Sequence, residues 1–448
     1  MESVRTPAPA CDRARDTGGA ACQPHAAPTR LAQTGLPSSM LTALLSKHLL
    51  VGGAASVATL ADSTTLHPDV IDEIVALMLD SGHLHAQADA DGSLRVGLNP
   101  AGRLFACAAL GHDGYVGPAP VSAAQYALVV TANALARDPI TPQILHAAFE
   151  GVVVDERTID QFAVALSSVK PLLVHGPSGA GKTYLCQHLA RALRGATLVP
   201  HAVAAGDVAV RVYDPALHDV VDVGVTTAGG GAVDPRFVCC RRPALICGAR
   251  LDRARLDVSI DPITNVAVAP LTMRANNGML IVDDFGDQHI TLDELSRRWA
   301  LPLDTQRDWI TVDGSRGESV PFDVVLVLIA NRELEGVLPQ DFRRHLGQRI
   351  ALGEVPAEHY LLLWGRACAD LGIAFDAGLA RYALTGLHAA EGVPPLAAHP
   401  AQLLAAMVEH ARRNDQGGAP TRDMLRAAWS ARFSAAVRAD ARSAPRPE

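Results

Sequence analysis

Lysine is almost missing from this chain: three residues of 448 (Lys47, Lys170, Lys182), against 36 arginines. Aromatic residues are scarce too, at 4%, and no stretch of residues 206–273 reads clearly as an aromatic loop that grips a substrate. Net charge is −8 at pH 7, which argues against a protein whose main task is coating nucleic acid. The eight cysteines (Cys11, Cys22, Cys107, Cys186, Cys239, Cys240, Cys247, Cys368) form no C-x-x-C and no metal-type spacing. Even Cys239, Cys240 and Cys247, the nearest thing to a cluster, read as small buried apolar side chains on strands, and a reducing compartment follows. The longest apolar run, Val324 to Ala330, is far too short to span a bilayer. Residues 1–35, rich in Ala, Pro, Thr and Gly, lack the apolar core of a signal peptide. They are expected to be the disordered tail of a cytoplasmic protein.

Among what is present, Gly176-Pro177-Ser178-Gly179-Ala180-Gly181-Lys182-Thr183 is the most informative segment. It fits G-x-x-x-x-G-K-[ST] at every fixed position and follows the apolar run Leu172-Leu173-Val174. Residues 184–194 then carry apolar side chains at helical spacing. In that strand–loop–helix setting the glycines let the backbone wrap a phosphate chain, with several N–H groups pointing inward at a helix N-terminus. Lys182 adds positive charge near the β- and γ-phosphates, and the Thr183 hydroxyl can ligate Mg²⁺. The expected nucleotide contacts run from Gly176 to Tyr184, and the expected cofactors are ATP and Mg²⁺.

The length allows two or three domains. Residues 36–112 read as helix, helix, hairpin, helix, the order of a winged-helix domain. Pro68 starts the second helix, Val70, Ile71, Ile74, Val75 and Met78 share one of its faces, and Asp91-Gly92 turns the hairpin. A winged helix suggests DNA, but residues 36–120 hold three basic residues and eight acidic ones. The would-be recognition helix carries Asp69, Asp72, Glu73 and Asp80 and no Lys or Arg, so a duplex would repel it. A protein contact is expected instead.

Residues 113–157 read as a Gly/Pro linker (114–119) followed by helices. Residues 158–355 are the expected nucleotide-binding core, with buried strands at 172–174, 279–282 and 324–329 that read as continuous apolar runs. Lys182 and Asp283 lie 101 positions apart, too many for one crossover, so residues 206–273 are expected to be a β insertion. The pattern is all helical over 356–437, a lid, whose Arg-rich end reads as a solvated face. Residues 438–448 are expected to be a second disordered tail. The fold class is α/β: a P-loop NTPase parallel sheet with these additions.

Gly278-Met279-Leu280-Ile281-Val282-Asp283-Asp284-Phe285 is an apolar strand ending in two acids. Asp283 sits where a strand-end carboxylate holds Mg²⁺. Asp284 is placed to orient or deprotonate the attacking water. The third strand ends in Asn331-Arg332, at the edge where ligands bind in such sheets, and Asn331 can hold the lytic water against the γ-phosphate. Further on, Asp341-Phe342-Arg343-Arg344-His345 offers adjacent arginines, readable as an arginine finger or as salt-bridged surface residues.

Phosphate loop, Asp-Asp strand end, Asn-ending strand, paired arginines and helical lid, in that order, resemble an AAA+ ATPase over roughly residues 160–430. Three further segments resemble those of a bacterial AAA+ subgroup with a winged-helix-like N-terminal region. They are Tyr115-Val116-Gly117-Pro118-Ala119-Pro120-Val121, Asp234-Pro235-Arg236-Phe237-Val238 and Ala275-Asn276-Asn277-Gly278. The resemblance implies a ring, usually hexameric, with each site completed by a neighbour's arginine. It implies that Lys182 and Thr183 contact phosphate and Mg²⁺, and that Asp283 belongs to the Mg²⁺ site. Asn331 would be the sensor amide, and Arg343 or Arg344 the finger.

Two positions depart from the family. Asp284 stands where Glu is usual, and His399-Pro400-Ala401-Gln402-Leu403 in the lid has no arginine where many members touch the γ-phosphate. Arg412 and Arg413 lie about three helical turns away. The expected function is ATP hydrolysis coupled to remodelling of a protein partner. The alternative, which both departures favour, is an ATP-dependent switch or scaffold with slow turnover. No Asn-Lys-x-Asp motif for guanine is present.

Overall fold

The computed structural model of the chain describes residues 26–443 apart from 89–93, 138, 169, 222–232, 313–316, 335 and 414–419. At its centre are five parallel strands: β1 (Leu172–His175), β2 (Ala244–Cys247), β3 (Gly278–Val282), β4 (Val324–Ala330) and β5 (Arg349–Ala351). Their order is β5-β1-β4-β3-β2. Every residue of β3 and β4 is buried, because helices cover both faces. Met279, Ile281, Val327 and Ile329 meet Phe162 of the helix Glu156–Ser167 and Leu185 and Leu189 of helix α1 (Lys182–Leu189). The alternate residues Leu280, Val282, Leu326 and Leu328 pack with Leu295 and Trp299 of helix α2 (Leu292–Thr305). A strand apolar on both faces is what such a doubly covered sheet demands. Truncating a fully buried ring such as Trp299 to alanine typically costs about 3–5 kcal/mol.

β2 corrects the expected β insertion. Residues 244–247 belong to the central sheet, pairing with β3 from Ala244↔Met279 to Cys247↔Val282. The added β structure lies on either side of it in sequence. Ala196–Pro200 pairs with Phe237–Arg241, while Ala202–Ala205, Val208–Arg211, Ala267–Val268 and Ser259–Ile260 make a four-stranded sheet.

In the N-terminal unit, helices Ser38–Gly52, Val57–Thr64, Pro68–Asp80 and Pro100–His112 surround a sheet of Ala55–Ser56, Leu94–Leu98 and Leu84–Ala88. The expected Asp91-Gly92 turn lies outside the described residues. Helix Pro68–Asp80 buries Val70, Ile71, Ile74, Val75 and Met78 and exposes Asp69, Asp72, Glu73 and Asp80. The unit is not a tethered module, since its apolar cluster continues into Ala202 and Ala209 of the four-stranded sheet and into Val266 just before its strand Ala267–Val268. Buried Lys47 donates to the Asp113 carboxylate (3.1 Å) and carbonyl (2.9 Å). The same carboxylate accepts from the Tyr115 and Ala209 N–H groups. Removing one partner of a buried pair of this kind typically costs about 3–5 kcal/mol.

The segment expected as a linker is therefore packed: Tyr115 and Ala119 are buried, and the Ala119 N–H donates to Thr64 O. Part of the expected N-terminal tail is ordered too. Leu31–Thr34 forms a 3₁₀ turn with Thr34 buried, and Ala26 bridges to Val233. Residues 1–25 lie outside the described residues.

The C-terminal helices Ala357–Leu371, α3 (His399–Arg413) and Arg422–Ser443, with the helical segment 377–391, enclose Trp364, Leu403, Met407 and Trp429. The last helix runs six residues past its expected end at 437. A π turn at Ala383–His388 brings His388 inward, stacked on His399 and edge-on to Trp429. Among the described residues no helix is long and apolar enough to cross a membrane. Cys186, Cys240, Cys247 and Cys368 are buried free thiols, and burial pushes Cys247 up to about 12. Cys11 and Cys22 lie outside the described residues.

Candidate functional site

The parallel order brings the C-terminal ends of β1, β3 and β4 to one edge of the sheet, and the loops that leave them carry the polar residues. Loop 176–181 joins β1 to α1. A Cβ on Gly176 (φ +148°) would lie 1.8 Å from the Leu352 carbonyl oxygen, and Gly181 (φ +87°) starts the helix in the left-handed region. Both positions require glycine. The loop thus delivers backbone N–H groups to the start of α1, the arrangement that holds anions.

Lys182 is buried, and its Nζ donates to Gly176 O and Pro177 O, both at 2.8 Å. Burial lowers its pKa, while the Asp283 and Asp284 charges raise it. The Thr183 hydroxyl donates to Asp283 Oδ2 at 2.7 Å. Asp283 Oδ1 accepts from the Asp284 N–H (2.9 Å), and Asp284 Oδ1 accepts from Asn331 Nδ2 (2.9 Å). Lys182, Thr183, Asp283, Asp284 and Asn331, from three separate stretches of chain, form one cluster.

Other expected residues sit differently. Pro177 and Ser178 are exposed on the loop, Gly179 is half-buried and Ala180 is buried. The exposed Tyr184 ring leans on His188, 4.4 Å between centroids, rather than over the loop. Arg344 is exposed and pairs with Asp304 of α2 at 2.9 Å; Arg343 is half-buried.

Two contributors carried no signal in the sequence. Gln288 bonds the backbone around Asp283 and Asp284. The segment before helix α3 also reaches the loop, without an arginine. The Ala398 N–H donates to Gly179 O at 3.0 Å, and Cβ atoms built on Gly179 and Gly181 would each stand 3.5 Å from the methyls of Ala398 and Ala397. Small residues on both sides permit this approach.

The segments 115–121, 234–238 and 275–278 that carry the subgroup resemblance serve packing away from this edge. Arg236 and Asp234 form a fully buried pair that also reaches Pro120 O and Gln125. Asn277 (φ +59°) bonds Val130 O, Thr197 and Asp323 before β3 begins. A cavity of about 110 Å³ is lined by Leu135, Ile140, Ile144, Leu193, Arg242 and Val325.

A domain family of unknown function, DUF8689, matches residues 356–431, within the C-terminal helices. No curated protein matches the chain. Among solved structures, the chain is similar to NtrX from Brucella abortus, solved with ADP. The identity is 13% and the TM-score 0.37, over 62% of this chain and 53% of that one. The chain thus spans about half the length of NtrX. It is also similar to Thermotoga maritima RuvB, described as a Holliday junction branch migration motor. Here the identity is 12% and the TM-score 0.37, over 66% of this chain and 73% of that one. Likenesses this distant carry no functional meaning by themselves.

Proposed function

We propose that this chain is an AAA+ ATPase that binds and hydrolyses ATP with Mg²⁺ and couples turnover to remodelling of a protein partner. What supports this most is the single cluster at the C-terminal sheet edge, where Thr183 meets Asp283 and Asp284 meets Asn331. The loop's path needs glycine at Gly176, where a Cβ would clash with Leu352 O, and favours it at Gly179 and Gly181, whose φ is positive. The donors beside it are hard oxygens, a hydroxyl and a carboxylate, which suit Mg²⁺. Among the described residues no group of three or more His, Cys, Asp or Glu could hold a metal alone.

In this role the loop N–H groups and Lys182 hold the phosphates, Lys182 exchanging two loop carbonyls for phosphate oxygens. Thr183 and Asp283 hold Mg²⁺, which would neutralise charge on the phosphates. Asp284 takes the proton of the attacking water while Asn331 orients it. Arg343 or Arg344 serves the site of the next subunit in a ring, in the cytoplasm. The acidic helix Pro68–Asp80 suits a protein contact rather than a duplex.

A second reading, a switch that binds ATP and turns over slowly, is favoured by the lid's arginine-free contact with the loop. Steady-state ATP hydrolysis measured beside a nucleotide titration separates the two. An ATPase shows both binding and Mg²⁺-dependent turnover; a switch shows binding alone. Absence of binding removes both readings.

A further inference from the structure

Asp284 is one methylene shorter than glutamate, so its reach depends on where the backbone puts its Cα. That backbone is unusual. Asp284 sits at φ +52°, in the left-handed region that side chains other than glycine seldom adopt. The turn that follows is closed by the Asp287 N–H on Asp284 O (2.9 Å) and tied to β4 by the Phe285 N–H on Ile329 O (2.6 Å). Across it lies one side-chain amide. Gln288 Nε2 donates to Asp283 O (3.0 Å) and Asp284 O (2.8 Å), and Gln288 Oε1 accepts from the Gly286 N–H (2.7 Å). Its orientation is fixed by these partners, since the reversed amide would set its oxygen against two carbonyls. From this geometry we infer that Gln288 is a positioning residue for Asp284: it clips the left-handed turn and so brings a short carboxylate within reach of Asn331 and the attacking water.

This inference rests on the hydrolytic role of Asp284 given above. The hydrogen bonds of the Gln288 amide all go to the backbone of Asp283, Asp284 and Gly286, away from the groups that would hold the phosphates. Its loss should therefore act on turnover and not on nucleotide affinity. Misplacing a reacting group by about 1 Å can cost on the order of 100-fold in rate.

The test measures kcat and ATP affinity for Gln288→Ala, and repeats the substitution in an Asp284→Glu background, where the longer side chain has reach to spare. The expected result is a kcat loss of about 10- to 100-fold with ATP affinity unchanged within about twofold. In the Asp284→Glu background the penalty should shrink to less than about threefold. Gln288→Glu, isosteric but without the N–H donors, should also be slow, and it carries the test if Gln288→Ala does not fold. An equal penalty in both backgrounds, a parallel loss of affinity, or full activity of Gln288→Ala overturns the inference. So does an inactive Asp284→Glu protein beside an active wild type. A wild-type chain that hydrolyses no ATP removes the hydrolytic reading itself, and this inference with it.

Discussion

Asp283 and Asp284 are adjacent in sequence but held by different partners, the Thr183 hydroxyl and the Asn331 amide. Their loss should therefore appear at different steps. Asp284→Asn is expected to keep ATP bound while turnover falls by about 10²–10⁴, the usual contribution of a positioned base. Asp283→Asn should in addition change the Mg²⁺ dependence, read as a shift in the Mg²⁺ concentration that gives half-maximal rate. Wild-type turnover by Asp284→Asn would remove its role as base. At this scale the sequence was readable where chemistry is contiguous. Gly176 to Thr183 and Asp283-Asp284 announce themselves because loop and strand end each occupy one short segment. Gln288 and Ala398 do not, because a lone glutamine or alanine acquires its role only from what the fold sets against it.

The elements divide along similar lines. β3 and β4 were legible as apolar runs because both of their faces are buried. β2 has only four residues and sits among other β segments, so nothing local distinguishes it from the added sheets. Helix α2 is hard to read from sequence although Thr291 and Glu294 form a capping box, because Pro302, a residue that usually ends helices, lies inside its last turns. The C-terminal helices are legible by period, but their internal chemistry is not. His399, at the start of α3, is buried against His388, and burial with the charges of His388 and Arg432 lowers its pKa to about 4. Its Nδ1 accepts from the Leu396 N–H, next to the residues that touch the phosphate loop. The folded value lies below the unfolded one of about 6.5, so the unfolded chain takes up the proton first. Stability present above that value is lost as pH falls toward about 4. Thermal unfolding followed by tryptophan fluorescence should show a lower melting temperature at acid pH, and His399→Phe should flatten that slope. An identical slope in the variant would rule out His399 as its source.

For the whole molecule, the N-terminal unit and the four-stranded sheet share one apolar cluster and a hydrogen bond from the Ala209 N–H to the buried Asp113 carboxylate. The charge count in the sequence could suggest a protein contact for the first unit, but not that it is fastened to the rest. That fastening comes from the Asp113 carboxylate, held by Lys47 and accepting from the Ala209 N–H, and from the apolar cluster that includes Ala202 and Ala209. Assembly adds the remaining expectation. Arg344 is engaged by Asp304 in an exposed pair, of a kind worth about 0.2–1 kcal/mol, so a neighbour's phosphate could readily compete for it. An arginine finger is worth about 10³–10⁵ in rate. One of Arg343→Ala and Arg344→Ala should be inactive, and mixing that variant with an inactive Lys182→Ala protein should restore part of the turnover. Full activity of both arginine variants would exclude a finger in trans. The most direct test of the central claim is nucleotide titration of folded Lys182→Ala protein beside wild type, with hydrolysis measured on the same samples. Wild type should bind and hydrolyse ATP, and the variant should lose at least about tenfold in affinity, equivalent to about 1.4 kcal/mol, and its turnover. Unchanged affinity in the folded variant would contradict nucleotide binding at this loop.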